Sequence, residues 1–216
     1  MLRVFKSALA ATILSVLTAC ATPKAPADYT ALRTEDPHSI LVVPAMNRST
    51  EVTAPDYFLS TISIPLAERG YYVFPVNLVK RVMDDDGMSD ADMVQQADPT
   101  RLGELFGADA ILYVTIERWD SRYLLISTTT TVEISYVLKS GKTGATLWTR
   151  KVHMEYTPQA GGTGLAAVIG AAIEAAVAKA APNYIPLANR ANLLAIDDPK
   201  QGLPPGPRAV KVAATH

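Results

Sequence analysis

The stretch Gly107-Ala-Asp-Ala-Ile-Leu-Tyr-Val-Thr-Ile116 carries the strongest fold signal in the chain. Its continuous apolar run follows a glycine and predicts a strand buried in the middle of a sheet. Directly before it, Asp98-Pro99 is typical of a helix start, and Thr100–Phe106 predicts a helix that Gly107 ends. A helix that returns into a buried strand is expected where helices pack on a sheet.

Upstream, the chain alternates between apolar runs and helical spacing. Ser39–Ala45 and Tyr71–Phe74 are rich in β-branched or aromatic residues and predict two strands. Between them, Pro55–Arg69 places its apolar residues at helical spacing, and Pro65 is expected to kink this helix. Leu78–Met83 predicts a further short helix. Strands that alternate with helices indicate parallel pairing.

Downstream, the pattern changes to strict alternation. One face of the stretch Ser121–Lys139 carries Ile126, Thr128, Thr130, Val132, Ile134, Tyr136 and Leu138. This alternation predicts one long antiparallel strand with a solvent-facing side. The turn Ser140–Gly144 leads into a second alternating stretch, Thr146–Tyr156, so the two strands are expected to form a hairpin.

The remaining body of the chain predicts two helices. Gly161–Gly164 precedes the alanine-rich stretch Leu165–Ala181, and alanine favours helix strongly. Asn183–Ala195 predicts the last helix, and the proline-rich residues after it indicate a disordered tail over 197–216. The element order is β-α-β-α-α-β-β-β-α. It predicts an α/β protein with a mixed (α+β) sheet, built as a two-layer or three-layer sandwich in one domain over residues 37–196.

The amino terminus has the features of an export signal. Arg3 and Lys6 precede the apolar run Ser7–Leu17, which is too short to span a membrane. The residues that follow, Leu17, Thr18, Ala19 and Cys20, match the lipobox of bacterial lipoproteins. In such proteins the cysteine sulfur receives diacylglycerol before the signal peptide is cleaved. The sequence therefore predicts a signal peptide over residues 1–19.

Cys20 is the only cysteine of the chain, and it stands where lipidation requires it. The mature domain therefore has no disulfide and depends on its core for stability. Three acyl chains attach a protein far more firmly than one. Ala21 follows, rather than an aspartate that would retain the protein at the inner membrane. We expect a lipid anchor in the outer membrane, with the domain on the periplasmic face after a flexible tether over residues 20–36.

Composition and motifs argue against several classes of function. Of 20 Lys and Arg, 18 remain without Arg3 and Lys6, against 21 Asp and Glu, so the mature charge is near −3 and nucleic-acid binding is not expected. None of the three histidines belongs to a cluster with metal-ligand spacing. Gly161–Gly164 lacks the Lys of a phosphate-binding loop. The sequence predicts no catalytic residues, no metal and no cofactor.

Four segments resemble an uncharacterised family of proteobacterial lipoproteins that includes a neisserial outer-membrane vaccine-candidate antigen. They are Ile40–Thr50, Gly70–Val76, Gly107–Tyr113 with Trp119-Asp120, and Gly161–Ala181. The family is similar to the TolB amino-terminal domain, to the curli secretion lipoprotein CsgG and to lipoproteins that activate peptidoglycan synthases. The resemblance implies an oligomeric interaction module at the outer membrane. It implies neither enzymatic residues nor pore formation.

The alanine-rich segment also provides a candidate interface between copies of the chain. Ala166 and Gly170 are small enough to let another backbone approach closely. The candidate interface residues are Leu165, Ala166, Ile169, Gly170, Ile173 and Val177. Burial in the domain's own core is an equal alternative, and membrane insertion is a third. We therefore expect a lipid-anchored, non-catalytic protein that self-associates and serves with other envelope proteins in an assembly or secretion complex. The alternative is a periplasmic carrier or sensor of a small ligand, for which Ser127–Thr131 would supply hydroxyl groups.

Overall fold

A computed structural model describes residues 27–88, 90–124, 127–156 and 184–209, without the side chains of residues 121–128. The helices are α1 (Thr30–Glu35), α2 (Ala54–Glu68), α3 (Val76–Asp85), α4 (Ala91–Gln96), α5 (Pro99–Phe106) and α6 (Ile185–Ile196). The strands are β1 (Ser39–Val42), β2 (Met46–Asn47), β3 (Tyr72–Val73), β4 (Ala110–Leu124), β5 (Ser127–Ser140) and β6 (Thr146–Tyr156). The predicted α/β class with a mixed sheet is confirmed.

The strands form one sheet in the order β3-β1-β4-β5-β6, with β2 also paired to β4. β1 lies parallel to both β3 and β4, whereas β4, β5 and β6 are successively antiparallel. The stretch that begins at Gly107 thus provides a central strand, as predicted. The helix that leads into this strand, α5, is fixed at both ends. The Asp98 side chain accepts a 2.9 Å hydrogen bond from the Thr100 amide at its start, and Gly107 ends it at φ +68°.

The predicted hairpin of β5 and β6 is confirmed, and a longer hairpin of β4 and β5 precedes it in the chain. Residues 121–139 were expected to form one strand, but 121–124 belong to β4 and 127–139 belong to β5. Leu124 pairs with Ser127, so the two strands are the arms of one hairpin. The two residues between them are Leu and Ile, and neither is a turn-forming type. The alternation therefore continues on both sides of the reversal, and the pattern alone does not reveal it.

One face of the sheet is covered by α2 and α6. This core contains Phe58 and Ile62 of α2 and Ala191 of α6, all fully buried, against alternate residues of β5 and β6. The predicted alternation is confirmed from residue 132 onward, since Val132, Ile134, Tyr136 and Leu138 are all buried, whereas Thr131 on the other side of the strand is buried as well. Pro65 lies inside α2 without dividing it, and the Arg69 amide donates to the Pro65 carbonyl at 3.0 Å.

The other face is covered only in part. Helices α3, α4 and α5 pack a smaller core over β1 and β4, with Leu41, Val79, Met83, Leu102 and Ile111 buried there. The helix predicted over Leu78–Met83 is thus longer. A helical piece that starts at Ser89 or Asp90 is also predicted by the sequence, and α4 agrees with it. The corresponding face of β5 and β6, apart from the buried Thr131, remains accessible, because its described side chains are partly or fully exposed. Within the described ranges, the sheet therefore has three layers over half of its width and two over the rest.

The two predicted flexible ends contain ordered, packed residues. In place of a tether through residue 36, α1 begins at Thr30 and its Leu32 is buried. In place of a tail that is disordered from residue 197, the segment 197–209 packs on the domain, with Leu203 buried. Its proline-rich sequence does not prevent this, because side chains of the domain donate hydrogen bonds to its carbonyls and backbone carbonyls of the domain accept from its amides.

Candidate interaction surfaces

Both ends of the described chain meet at β6, the edge strand of the sheet. The Tyr29 hydroxyl, just before α1, donates a 2.8 Å hydrogen bond to the Gly202 carbonyl. The Trp148 indole N–H donates to the Gln201 carbonyl at 3.1 Å. Farther along, the Gly206 amide donates to the Arg69 carbonyl at 2.8 Å, close to β3. The carboxy-terminal segment thus crosses from the β6 edge to the β3 edge of the sheet.

Arg150 of β6 is the charged centre of this attachment. Its guanidinium donates to Asp198 at 2.7 Å and also to the side chain of Gln201. The backbone amides of Lys200 and Gln201 donate hydrogen bonds to the Asp198 carboxylate. These two bonds and the charge of Arg150 hold the pKa of Asp198 below its usual value. The Arg150 side chain is only 13% exposed, so its ion pair is better shielded from solvent than a typical surface pair.

The accessible face of β5 and β6 is polar. Lys151 of β6 bonds to Glu133 of β5, which lowers the pKa of Glu133 and raises the pKa of Lys151. His153 is exposed with its Nε2 3.7 Å from Glu155. Lys139 lies over the Tyr113 ring at 5.1 Å. Because the charges alternate, this face offers hydrogen-bonding groups without a strong field of one sign.

A shallow groove joins this polar face to the start of the described chain. It has a volume of about 460 Å³ and is lined by Ala27, Ser135, Val137, Thr149, Lys151 and Gln201, with further atoms of Tyr136 and Arg150. Ala27 is the first described residue, so the chain enters the domain at the edge of the polar face. Cys20 precedes Ala27 by seven residues.

A second groove lies on the helical layer. It has a volume of about 480 Å³, and its apolar lining includes Met88, Leu102 and Leu105 beside the charged Asp98, Arg101 and Glu104. Leu105 is 55% exposed, and Leu78 and Met93 of the neighbouring helices are also exposed. Exposed apolar side chains on one layer are common in proteins that bind partners. Of the hydroxyl-rich run, the residues with described side chains, Thr129, Thr130 and Thr131, line neither groove.

The hydroxyl-rich run instead forms part of the long hairpin. Thr130 pairs with Ser121 and Thr131 pairs with Asp120 of β4. Thr130 and Thr131 are both buried, at 1% and 8% exposed. Buried positions in a strand pair indicate that these two threonines contribute to packing, because β-branched residues pack well on a pleated surface.

Buried polar groups in the core form a closed network. The Tyr136 hydroxyl donates to the Asn192 side-chain oxygen at 2.8 Å, and the Asn192 amide donates to the Thr61 hydroxyl at 2.9 Å. Thr61 in turn donates to the Tyr57 carbonyl at 2.8 Å. Burial raises the pKa of Tyr136, so its hydroxyl stays protonated. Each of these side chains is hydrogen-bonded inside the core, and the network links α2, α6 and β5.

Asp109 has a similar structural use at the start of β4. It accepts hydrogen bonds from the Ser39 hydroxyl at 2.9 Å and from the His38 and Ser39 amides, each at 3.1 Å. Burial alone would raise the pKa of Asp109, but these donors and nearby Lys142 outweigh it and lower the pKa. The acidic residue in the Gly-Ala-Asp-Ala step therefore aligns β1 with β4.

Across the four described ranges, no three His, Cys, Asp or Glu side chains gather in an arrangement that could hold a metal ion. Within the same ranges, no helix combines the length and apolarity needed to cross a membrane. The lipobox residues Leu17, Thr18, Ala19 and Cys20 lie outside the described residues. The candidate interface residues, Leu165, Ala166, Ile169, Gly170, Ile173 and Val177, do so as well.

Sequence reasoning missed the residues that hold the chain ends and the core network. Arg150 looked like an ordinary alternating strand residue, and its partners lie in a segment that resembled a disordered tail. Asn192 was detectable in principle, because it is a polar residue within the apolar run Ala191–Ala195. A polar side chain in such a position is expected to be hydrogen-bonded inside the core.

Known proteins resemble this chain over most of the described domain. The protein named "Putative lipoprotein NMB1124/NMB1162" of Neisseria meningitidis serogroup B is 34% identical over 162 residues, which are 74% of each chain. The crystal structure of lipoprotein GNA1162 from Neisseria meningitidis is 32% identical, covers 66% of this chain and 99% of that chain, and has a TM-score of 0.57.

A more remote likeness is PelC from Paraburkholderia phytofirmans, solved as a dodecamer. It is 13% identical, covers 57% of this chain and 76% of that chain, and has a TM-score of 0.41, too low to bear on the assembly of this chain. The model of the family described as "Putative lipoprotein GNA1162-like" matches residues 27–208. The predicted resemblance to a lipoprotein family with a neisserial member is confirmed, and the chain belongs to the GNA1162-like lipoprotein family.

Proposed function

We propose that this protein is a lipid-anchored, non-catalytic accessory protein of the bacterial envelope. Membership of a lipoprotein family is the observation that carries the proposal. Cys20 is the only cysteine and follows Leu17-Thr-Ala19, so it is the residue that would bear the lipid. Residue 21 is alanine, which favours the outer membrane, with the domain on its periplasmic face.

The geometry of the described domain supports an interaction role. The buried Tyr136, Asn192 and Thr61 bond to each other or to backbone groups. The grooves are shallow, and titratable side chains at the polar face are paired, as Lys151 is with Glu133. A protein of this kind acts through its surfaces, and the exposed Leu78, Met93 and Leu105 offer an apolar contact for another envelope protein.

Self-association is the finer part of the proposal. Its support is the sequence of Leu165–Ala181, in which only Glu174 and Lys179 are charged. Leu165, Ala166, Ile169, Gly170, Ile173 and Val177 are the proposed contact residues. The likeness to the TolB amino-terminal domain likewise remains a prediction.

The anchor is tested by purifying the full-length protein from membranes and measuring the mass of its amino-terminal peptide. We expect Cys20 at the amino terminus, carrying diacylglycerol and an amide-linked acyl chain. The Cys20→Ser variant should lack the lipid and leave the membrane fraction. An unmodified Cys20 in membrane-bound protein would contradict the proposal.

Self-association is tested on the lipidated protein in detergent by light scattering over a concentration series. A defined dimer or larger ring supports a scaffold. A monomer at every concentration would exclude self-association and leave a one-to-one adaptor.

A further inference from the structure

We propose that the β6 edge of the sheet lies against the phospholipid headgroups and that the β3 edge points away from the membrane. The proposal rests on lipidation of Cys20, which belongs to the proposed function. It concerns which surface of the domain the anchor brings to the bilayer, and therefore which surface is left for a partner.

The first step is the reach of the chain between the anchor and the domain. Cys20 and Ala27 are seven residues apart in the sequence. A chain spans at most about 3.3–3.6 Å per residue, so these residues cover no more than about 25 Å in any conformation. Ala27 therefore lies within about 25 Å of a lipid attached to Cys20.

The second step is that the attachment point on the domain is fixed. Immediately after Ala27, the Tyr29 hydroxyl bonds to the Gly202 carbonyl, and Leu32 of α1 is 3% exposed. Extra reach would require α1 to unpack from β6 and expose Leu32. Because burial of a leucine side chain contributes to stability, the packed state dominates.

The third step is the position of Ala27 on the sheet. Ala27 lines the same groove as Thr149 and Lys151 of β6. β3 lies at the opposite end of the strand order, four strand spacings away. With about 4.8 Å between neighbouring strands, the β3 edge is about 19 Å farther from the attachment point. The short segment between Cys20 and Ala27 thus keeps the β6 edge of the sheet within about 25 Å of the bilayer.

The side chains at the β6 edge suit a headgroup region. Thr149, Lys151 and His153 are exposed and carry hydrogen-bond donors that phosphate and ester oxygens accept. Lys151 is paired with Glu133, so its charge is largely neutralised and attraction to anionic lipids is weak. The lipid anchor therefore supplies the attachment, and the polar edge makes close approach tolerable without inserting into the hydrocarbon.

The test uses the lipidated full chain with one added cysteine. Because the sulfur of Cys20 carries the lipid, the added thiol is the only one free to react with a maleimide fluorophore. Thr149→Cys places the donor on β6, and Ala67→Cys places it on an exposed residue of α2 close to β3. Both proteins are reconstituted in phosphatidylethanolamine–phosphatidylglycerol vesicles that contain an acceptor-labelled phospholipid.

We expect energy transfer to be severalfold more efficient from position 149 than from position 67 at each acceptor density. Insertion of about 20 Gly and Ser residues between Pro23 and Lys24 should remove most of this difference, since such a linker extends over about 25 Å on average. Equal transfer, or stronger transfer from position 67, in protein that floats with the vesicles would overturn the orientation alone. Protein that does not float with the vesicles would overturn the anchor and, with it, the orientation.

Discussion

The Tyr136 hydroxyl donates a 2.8 Å hydrogen bond to the side-chain oxygen of Asn192, and both residues are fully or almost fully buried. The bond joins the middle of β5 to α6 across a core whose other side chains are mostly apolar. In such surroundings a polar group without a partner costs more than a hydrogen bond contributes. The pair therefore fixes where α6 lies on the sheet.

Removal of this bond should destabilise the fold. Tyr136→Phe leaves the Asn192 oxygen without its donor, so we expect the free energy of unfolding to fall by about 1–3 kcal/mol. Urea denaturation followed by circular dichroism measures the change. Tyr72→Phe is the matched control, because Tyr72 is 44% exposed, and its effect should stay within about 0.5 kcal/mol. Equal effects of the two substitutions would contradict a structural role for the buried pair.

The attachment of the carboxy-terminal segment should depend on pH through Asp198. Its pKa is lowered by the Lys200 and Gln201 amides and by Arg150. A carboxyl group with a lowered folded-state pKa stabilises the fold above its unfolded pKa, and the stabilisation disappears as the pH falls through the folded value. We expect Asp198→Asn to destabilise the protein at about pH 7 and to differ less from wild type below about pH 4.

A double-mutant cycle isolates this pair. The coupling between Asp198→Asn and Arg150→Met, measured by urea denaturation, should be present at about pH 7 and smaller at about pH 3. Methionine keeps most of the apolar stem of the arginine, so packing is largely preserved. A coupling of the same size at both pH values would show that the carboxylate charge does not hold the segment.

Gly103 of α5 should tolerate no larger side chain. A Cβ atom at this position would lie 2.3 Å from the Gly141 carbonyl oxygen, which is backbone and cannot rotate away. Helix propensity alone favours alanine over glycine by about 1 kcal/mol. We nevertheless expect Gly103→Ala to lower the melting temperature, because the overlap forces α5 away from the turn after β5.

The neighbouring Glu104 supplies the control for that experiment. It is exposed on the same helix, so Glu104→Ala should change stability by no more than about 0.5 kcal/mol. A Gly103→Ala variant that melts at or above the wild-type temperature would refute the close approach of α5 to this turn.

The proposed contact between copies is tested at Ile173. Ile173→Gln in the full chain should lower the mass measured by light scattering while leaving the thermal unfolding midpoint of the domain nearly unchanged. Lys179→Gln, on the same segment, should alter neither. If Ile173 is instead buried in the domain's own core, the variant should be destabilised by about 2–5 kcal/mol, on the scale of other losses of buried apolar side chains. That outcome would remove this residue from the interface.

The sequence by itself determined the class of fold and most of the strand faces. The apolar run after Gly107 identified a central strand, since only a strand covered on both faces can be apolar throughout. The alternation through Val132, Ile134 and Tyr136 assigned the buried face, because side chains in a strand point to opposite sides with a period of two. The lipobox and the four motif segments identified the family. Each of these signals is local and needs no knowledge of distant contacts.

Only the tertiary structure decided which distant segments meet. The turn in the long hairpin has no turn-forming residue, so only the pairing of Leu124 with Ser127 reveals it. The composition of residues 197–209 predicts a disordered tail, yet Arg150 and Trp148 bind this segment. Its hydrogen-bond partners lie on a distant strand, so the sequence of the segment alone cannot identify them. The same contacts place Ala27 at the β6 edge. Burial and hydrogen bonding between segments far apart in sequence therefore fixed the surface from which the anchor extends.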